Sequence, residues 1–371
     1  MNTKVGFNAS MYTNRPSGVG VYTEALLKQL CVKLESAEIG FDIYAYSKDG
    51  IDQEVEDISL GTFLDGFCRP FLSLHRVLWN IFFLPFIAKS YSLIYSFSSH
   101  GSPFVKNQVI TIHDLICLRF PLQHPFQYIY FKFILPSIIN SSKKIVVISE
   151  FTKAEVLKFY NVAEEKIIVI HNGADHYDTN IANLPAQEEM LFQLTRGRQY
   201  FITVGASYKH KNIERLIEAI AQAKVDAFFI IVGAKGRHYS ILSKKLKQSK
   251  LQDVIFLDYV SRDFLKYLYS RAICNIYVSL YEGFGFTPME AASFSTLSIV
   301  SNTTSLPEIY QNSVVYSDPY NVTDIADKIK SVAKGHIDTD FIKKSFPALL
   351  GKFTWRVCAN NIHNVISSCL K

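Results

Sequence analysis

Short apolar runs of strand length recur along the first half of the chain, each followed by sequence of a different period. Val5-Gly6-Phe7-Asn8, Phe41 to Tyr46, Leu93 to Phe97, Gln108 to Ile112, Ile145 to Ile148 and Ile167 to Ile170 read as strands. Val21, Ala25, Leu26 and Leu30 mark a helix face at roughly 3.6-residue spacing, and Phe151 to Phe159 is another helical pattern. Strand alternating with helix predicts a parallel sheet covered on both faces. From about Tyr177 to Arg198 the period is lost among Asn, Pro, Gln and Glu, and the stretch reads as an interdomain connection. The alternation then resumes. Phe201 to Val204, Ala227 to Val232, Val254 to Leu257, Ala272 to Leu280 and Leu297 to Val300 read as strands. Ile213 to Ala223, Ile325 to Ala333 and Trp355 to Leu370 read as helices. The expected fold is α/β, two doubly wound domains in tandem, with a cleft between them as the default ligand site.

Composition narrows the class. The 371 residues allow two domains, and a hydrophobic fraction of 49% is ample for sizeable cores, which excludes a disordered chain. The net charge of +6 comes without dense Lys/Arg runs, so a nucleic-acid arm is not indicated. An anionic substrate or an anionic membrane surface accounts for it. The six cysteines are scattered with no C-x-x-C spacing, which points to a reduced, cytoplasmic protein with no metal site. Met1-Asn2-Thr3-Lys4 leads directly into a strand-like run with no signal-peptide core. The most apolar stretch, Val77 to Ala88, is too short to span a bilayer and is bounded by Arg76 and Lys89.

Candidate chemistry follows the strands. Tyr281-Glu282-Gly283-Phe284-Gly285-Phe286-Thr287-Pro288-Met289-Glu290 lies between a strand and a small-residue helix. Glycines let backbone approach a ligand, and a helix N-terminus aims N–H groups at an anion. Glu282 on the loop and Glu290 in the helix are acceptors suited to the hydroxyls of a sugar or ribose. Ser17-Gly18-Val19-Gly20 opens the first helix and can cradle a diphosphate, but residue 23 is Thr, not the third glycine of a dinucleotide fingerprint. An ordinary βα turn fits it equally. Thr111-Ile112-His113-Asp114-Leu115 follows a strand, where His113 either meets a sugar hydroxyl or is structural. Gly205-Ala206-Ser207-Tyr208-Lys209-His210-Lys211-Asn212 sets two lysines and a histidine beside a helix start, either a cationic pocket for a leaving phosphate or a solvated loop. Ser301-Asn302-Thr303-Thr304-Ser305-Leu306-Pro307-Glu308 follows another strand, and Glu308 alternatively complements a helix dipole.

In this order the motifs resemble the family 4 retaining glycosyltransferases of the GT-B type. Glu282 to Glu290 matches that family's E-x7-E signature. Ser17 to Gly20, His113-Asp114-Leu115, Val147 to Thr152, His171-Asn172-Gly173, His210-Lys211-Asn212 and Ser301 to Glu308 support it. The resemblance covers Val5 to about Asn361. It implies two Rossmann-like domains: residues 1–176 for the acceptor, residues 198–350 for the nucleotide-sugar, and a final helix in residues 351–371 returning to the first. It implies that Glu290 binds the ribose, and that Glu282, Gly283, Phe284, Gly285, Phe286 and Thr287 hold the donor sugar. Lys211, with Lys209, His210 and Gly205, would neutralise the diphosphate, with Gly18, Val19 and Gly20 on its other side. His113 would contact the sugar near the reacting carbon and Asp114 the acceptor. No metal or other cofactor is expected; the donor is GDP-mannose or a UDP-sugar. The chain departs from the pattern at Ala206, where many relatives carry arginine, and at Ser295 and Leu297, where glycine and proline are usual.

The implied reaction moves a hexose, mannose or a relative, to a glycan or lipid-linked glycan in O-antigen or capsule assembly. The expected place is the cytoplasm, at the inner face of the membrane. Two aromatic, partly basic stretches, Arg69 to Phe86 and Phe120 to Phe133, read mainly as core helices, with a peripheral membrane surface as the other reading. Rival functions are a nucleotide-sugar epimerase on the same frame and a non-catalytic sugar-nucleotide scaffold.

Overall fold

The computed structural model describes residues 3–12, 18–46, 54–58, 72–175, 185–234 and 236–371. The chain divides into two units, Met1–His176 with Phe353–Lys371, and Tyr177–Lys352. The first holds a seven-stranded sheet built from β1 (Lys4–Asn8), β2 (Gly40–Ala45), β3 (Val55–Asp57), β4 (Leu93–Ser96), β5 (Gln108–Ile112), β6 (Lys144–Val147) and β7 (Ile167–Val169). Their order is β3-β2-β1-β4-β5-β6-β7, with every pair parallel. β1 sits at the reversal, with Val5 opposite Phe41 on one side and Leu93 on the other. Every residue of β4 and β5 is buried, the pattern of a parallel strand covered on both faces. Such strands show as unbroken apolar runs, which is why the sequence displays them.

The second unit carries β8 (Tyr200–Val204), β9 (Phe228–Val232), β10 (Val254–Leu257), β11 (Cys274–Tyr277), β12 (Leu297–Ser301) and β13 (Val315–Ser317). They lie parallel in the order β10-β9-β8-β11-β12-β13, so the reversal falls between β8 and β11. Helix Ile213–Ala223 buries Ile213, Leu216, Ile217 and Ile220, the apolar stripe of an amphipathic helix. The helix Trp355–Leu370 belongs to the first unit, where it packs on helix Gly18–Ser36. Its start is tied down by the Ala174 amide on the Phe353 carbonyl and by the Trp355 amide on Asp175. Gly173 has no room for a Cβ, which would lie 2.2 Å from the Trp355 nitrogen, so the glycine of the His171-Asn172-Gly173 motif has a structural role here.

Three expectations change. The run Ala272 to Leu280 is a strand only over Cys274–Tyr277. Beyond Tyr277 its polar groups leave the ladder: the Val278 carbonyl accepts from Asn212, and the Leu280 amide donates to the His210 carbonyl. The connection from 177 to 198 contains a helix, Pro185–Thr195, of which only Thr195 is buried. A helix with so little covered surface needs no apolar stripe, so no period announced it.

The third correction concerns the aromatic stretches, of which residues 69–71 lie outside the described ones. Helical segments run through residues 72–90 and 125–141, each broken by a π turn, Trp79–Phe83 and Tyr130–Ile134. Each turn is followed by a proline, Pro85 or Pro136, which lacks an N–H for the α-helical ladder and crowds the preceding turn. Trp79, Leu84, Tyr130 and Leu135 face the core. Phe82, Phe86 (70% exposed), Phe126 (82%) and Phe133 do not, so the core-helix reading fails for the outer faces. Among the described residues, no helix is long and apolar enough to cross a membrane.

Candidate active site

The second unit gathers the signature at the carboxyl ends of β8 and β11. β8 runs into Gly205, at φ +92°, then the 3₁₀ turn Lys209–Lys211 and Asn212 in the left-handed region at φ 63°. Asn212 donates to the carbonyls of Val278, at 3.0 Å, and Pro319, at 2.7 Å, so this loop is bound to the one that follows β11. A 3₁₀ turn rotates successive side chains by about a third of a circle. Lys209 is accordingly exposed, His210 is buried and stacked on Tyr208, and Lys211 turns toward the signature loop. The three cations therefore do not line one pocket.

Lys211 Nζ donates to Glu282 at 2.7 Å and to the Tyr277 hydroxyl at 3.0 Å. Both ends of the ion pair are largely covered, with side-chain exposures of 17% and 12%. Burial alone would raise the Glu282 carboxyl; the neighbouring Lys211 and His210 outweigh it and hold the group below the ordinary carboxylate value. Burial pushes the Tyr277 phenol well above its ordinary value, so Tyr277 stays neutral beside the pair.

Gly285 N-caps helix Phe286–Ser293 at φ +86°, with no side-chain cap. A Cβ there would stand 2.5 Å from Leu306, so both the dihedral and the space select glycine. Tyr310 fastens this loop, donating to the Gly285 carbonyl and accepting from the Met289 amide, while Ser305 donates to the Glu282 carbonyl. The Ser301 to Glu308 motif thus supports the signature from behind, and Glu308 lies in the first turn of the short helix Leu306–Tyr310. Glu290 is half-buried and accepts from the Tyr269 hydroxyl at 2.9 Å. Gly283 and Phe284 are buried, and Phe284 packs on Phe286. Thr287 is half-buried in the helix's first turn. Ser295, where glycine is usual, still adopts the left-handed φ of 58°.

Sequence reasoning missed Tyr269, Tyr277 and Tyr310. A tyrosine in an apolar run looks like any core aromatic, and nothing local distinguishes one whose hydroxyl meets a carboxylate or a glycine loop.

In the first unit, Ser17 lies outside the described residues. Gly18, Val19 and Gly20 form the first turn of their helix, and Thr23 donates back to the Val19 carbonyl. His113 Nε2 lies 2.8 Å from the Phe97 carbonyl; a carbonyl only accepts, so Nε2 carries the proton and Nδ1 is the acceptor. Its ring meets Tyr22 edge-on at 4.6 Å. Burial lowers its pKa to about 4, against a smaller opposing effect of the Phe97 bond, which leaves the ring neutral at pH 7. One oxygen of Asp114 accepts from the Ile116 amide at the start of the next helical turn. Ser149, from the Val147 to Thr152 motif, is an N-cap whose side chain accepts from the Thr152 amide. Among the described residues, no three His, Cys, Asp or Glu side chains cluster as metal ligands do.

Over 237 residues the chain is 33% identical to the O-antigen chain mannosyltransferase RfbU of Salmonella typhimurium, spanning 63% of each sequence. It is 25% identical over 374 residues to O-antigen chain mannosyltransferase B of Escherichia coli, which takes in 94% of this chain and 95% of that one. Its fold, the two-domain GT-B type, is similar to that of Anabaena HepE solved with UDP and glucose, with a TM-score of 0.72 at 16% identity over 99% of this chain and 100% of that one. Residues 16–177 match the family described as Glycosyltransferase Family 4, and residues 187–345 match Glycosyl transferases group 1. The two matches take in most of the sequence, and the chain belongs to the family 4 glycosyltransferases.

Proposed function

We propose that the chain transfers mannose or a related hexose, with retention of anomeric configuration, from a nucleoside-diphosphate sugar to a glycan or lipid-linked glycan of O-antigen or capsule. The observation that carries this reading is the Lys211 ammonium, held by Tyr277 at the end of β11 and by Glu282 on the loop that leads into helix Phe286–Ser293. An ammonium has three N–H donors. Two are spent on orienting it, and the third is set for a phosphate oxygen. The helix N-terminus adds a fixed positive dipole.

In the reaction the bond from the anomeric carbon to the phosphate oxygen breaks, and its electron pair leaves with the nucleoside diphosphate. Lys211 stabilises that charge. The acceptor hydroxyl attacks the same face, and its proton passes to the departing phosphate oxygen. Glu290, aligned by Tyr269, takes the ribose hydroxyls. Neutral His113 offers Nδ1 to a sugar hydroxyl. The relatives named above as mannosyltransferases favour mannose, and the HepE structure shows a similar fold with UDP bound. A thermal-shift panel of GDP- and UDP-sugars tests the donor, since ligands of the native state raise its melting temperature. One nucleotide-sugar is expected to shift it and to yield an α-linked product by NMR. No shift with any sugar, or an inverted linkage, overturns the reading.

Peripheral membrane contact is part of the same proposal. Exposed Phe82, Phe86, Phe126 and Phe133 share their helices with Lys89, over the Phe86 ring at 5.4 Å, and Lys132, over Phe133 at 5.5 Å. A groove of about 600 Å³ is lined by Phe82, Phe86 and Phe104. Apolar rings beside lysines suit an anionic lipid surface. Wild type is expected to sediment with anionic vesicles and the Phe86→Ser, Phe126→Ser variant to remain in the supernatant; equal sedimentation of the two would refute it.

A further inference from the structure

Arg76 has no part in the donor site, yet its side chain is buried, 8% exposed, on the helix Leu72–Leu78 of the first unit. Its Nε donates to the Ser10 carbonyl at 2.7 Å. Among the described residues no carboxylate lies within ion-pair distance of it, and neither terminal nitrogen has a hydrogen-bond partner. A buried guanidinium without a counter-ion is costly, and an anionic ligand would relieve that cost.

The surroundings are built to hold it. Asn80 donates to the Arg76 carbonyl at 2.9 Å and to the Ser10 hydroxyl at 3.3 Å. Asn8, the last residue of β1, donates to Asn80 at 2.7 Å, to Ser96 at the end of β4 and to the His100 carbonyl. His100 stacks on Tyr130 with centroids 5.0 Å apart. Burial, with the nearby Arg76 charge, holds His100 well below its ordinary pKa, so this neighbour adds no second cation. The cluster stands where β1 and β4 meet, at the carboxyl edge and at the reversal of strand order, which is where open α/β sheets take ligands. The guanidinium lies over the Tyr46 ring at 6.0 Å; anchored through Nε, with both terminal nitrogens uncommitted among the described residues, it is a fork suited to phosphoryl oxygens.

The helix that carries Arg76 continues into exposed Phe82 and Phe86, about 9 to 15 Å along its axis. Tyr130, stacked on His100, lies between exposed Phe126 and Phe133 in sequence. The cation is therefore carried on the same run of helix as the surface assigned to lipid. We propose that Arg76 anchors an oxyanion site for the phosphoryl group that joins the acceptor glycan to its lipid. This rests on the lipid-linked acceptor assigned above.

The test is calorimetric titration of the full chain with farnesyl pyrophosphate, inorganic pyrophosphate and farnesol, in wild type, Arg76→Met and Arg76→Lys, with the donor sugar titrated into the same samples. Losing a charged fork is expected to weaken farnesyl pyrophosphate by at least ~10-fold in both variants, leaving donor affinity unchanged. Farnesol should be indifferent to residue 76. Equal binding of farnesyl pyrophosphate by wild type and variants overturns the site. Inorganic pyrophosphate binding as tightly as the farnesyl compound, with the same dependence on Arg76, overturns the lipid source. Absence of donor binding in wild type would instead refute the donor assignment and leave this result readable. Where circular dichroism shows a variant unfolded, the wild-type Arg76 Nε–H resonance decides: it shifts with farnesyl pyrophosphate, or the proposal fails.

Discussion

Lys211→Ala is expected to slow sugar transfer by about a hundred- to a thousand-fold, the range for removing one fixed donor from a developing oxyanion. The same change leaves Glu282 covered and without its counter-ion. Breaking a buried pair from one side costs about 3–5 kcal/mol, and the low end applies here because both side chains keep some solvent contact. Adding Glu282→Gln to Lys211→Ala removes the stranded charge, so stability should return while transfer stays slow. Initial rates and urea unfolding, measured on wild type, single and double variants, separate the two effects. Activity of Lys211→Ala within threefold of wild type would remove Lys211 from the chemistry. The ion pair also sets a pH window. Glu282 is held below its unfolded pKa, so its contribution to stability is complete above the ordinary carboxylate range and is lost as pH falls through the native value. The wild-type acid limb of stability should therefore flatten in the double variant.

Glu290→Ala is the second large effect expected. Hydrogen bonds to a charged group contribute about 1.5–3 kcal/mol each, so losing the carboxylate should weaken the nucleotide by roughly 10- to 100-fold. Tyr269→Phe keeps the carboxylate and removes its anchor at 2.9 Å. Its loss should be several-fold smaller and should appear in donor affinity, leaving the bound-state rate unchanged. Calorimetry with the nucleoside diphosphate alone reads both variants without any acceptor. Wild-type affinity in Glu290→Ala would sink the ribose assignment.

Much of this site was legible along the chain. Glu282 to Glu290 declares itself because a left-handed turn, a helix start and two carboxylates occupy one short segment, and each of these is a local property. Gly285 illustrates it: the residue is required by a dihedral at its own position. The direction of Lys209, His210 and Lys211 was not legible. Consecutive residues in a 3₁₀ turn point to different sides, and only the docking of Asn212 onto Val278 and Pro319 selects which one meets Glu282. Which aromatic side chains of the two helices face outward was not legible either. Composition offered a core helix and a lipid surface together, and the π turns Trp79–Phe83 and Tyr130–Ile134 shift the helical phase midway, so spacing could not have sorted the two faces.

By itself the sequence determined the alternation of strand and helix, the parallel class of both sheets and the position of the acidic signature after a strand. These depend on contacts between residues a few positions apart, or on burial of whole runs from both faces, and both leave a periodic trace. Only the tertiary structure decided that Tyr277 and Glu282 hold the Lys211 ammonium, that Tyr269 aligns Glu290, that Tyr310 fastens the glycine turn, and that Arg76 is folded inward beside Asn80 with no counter-ion among the described residues. Each of these joins residues from separate elements, and a hydroxyl or guanidinium acquires its role from whatever the sheet topology brings within three ångströms of it, which no periodicity records.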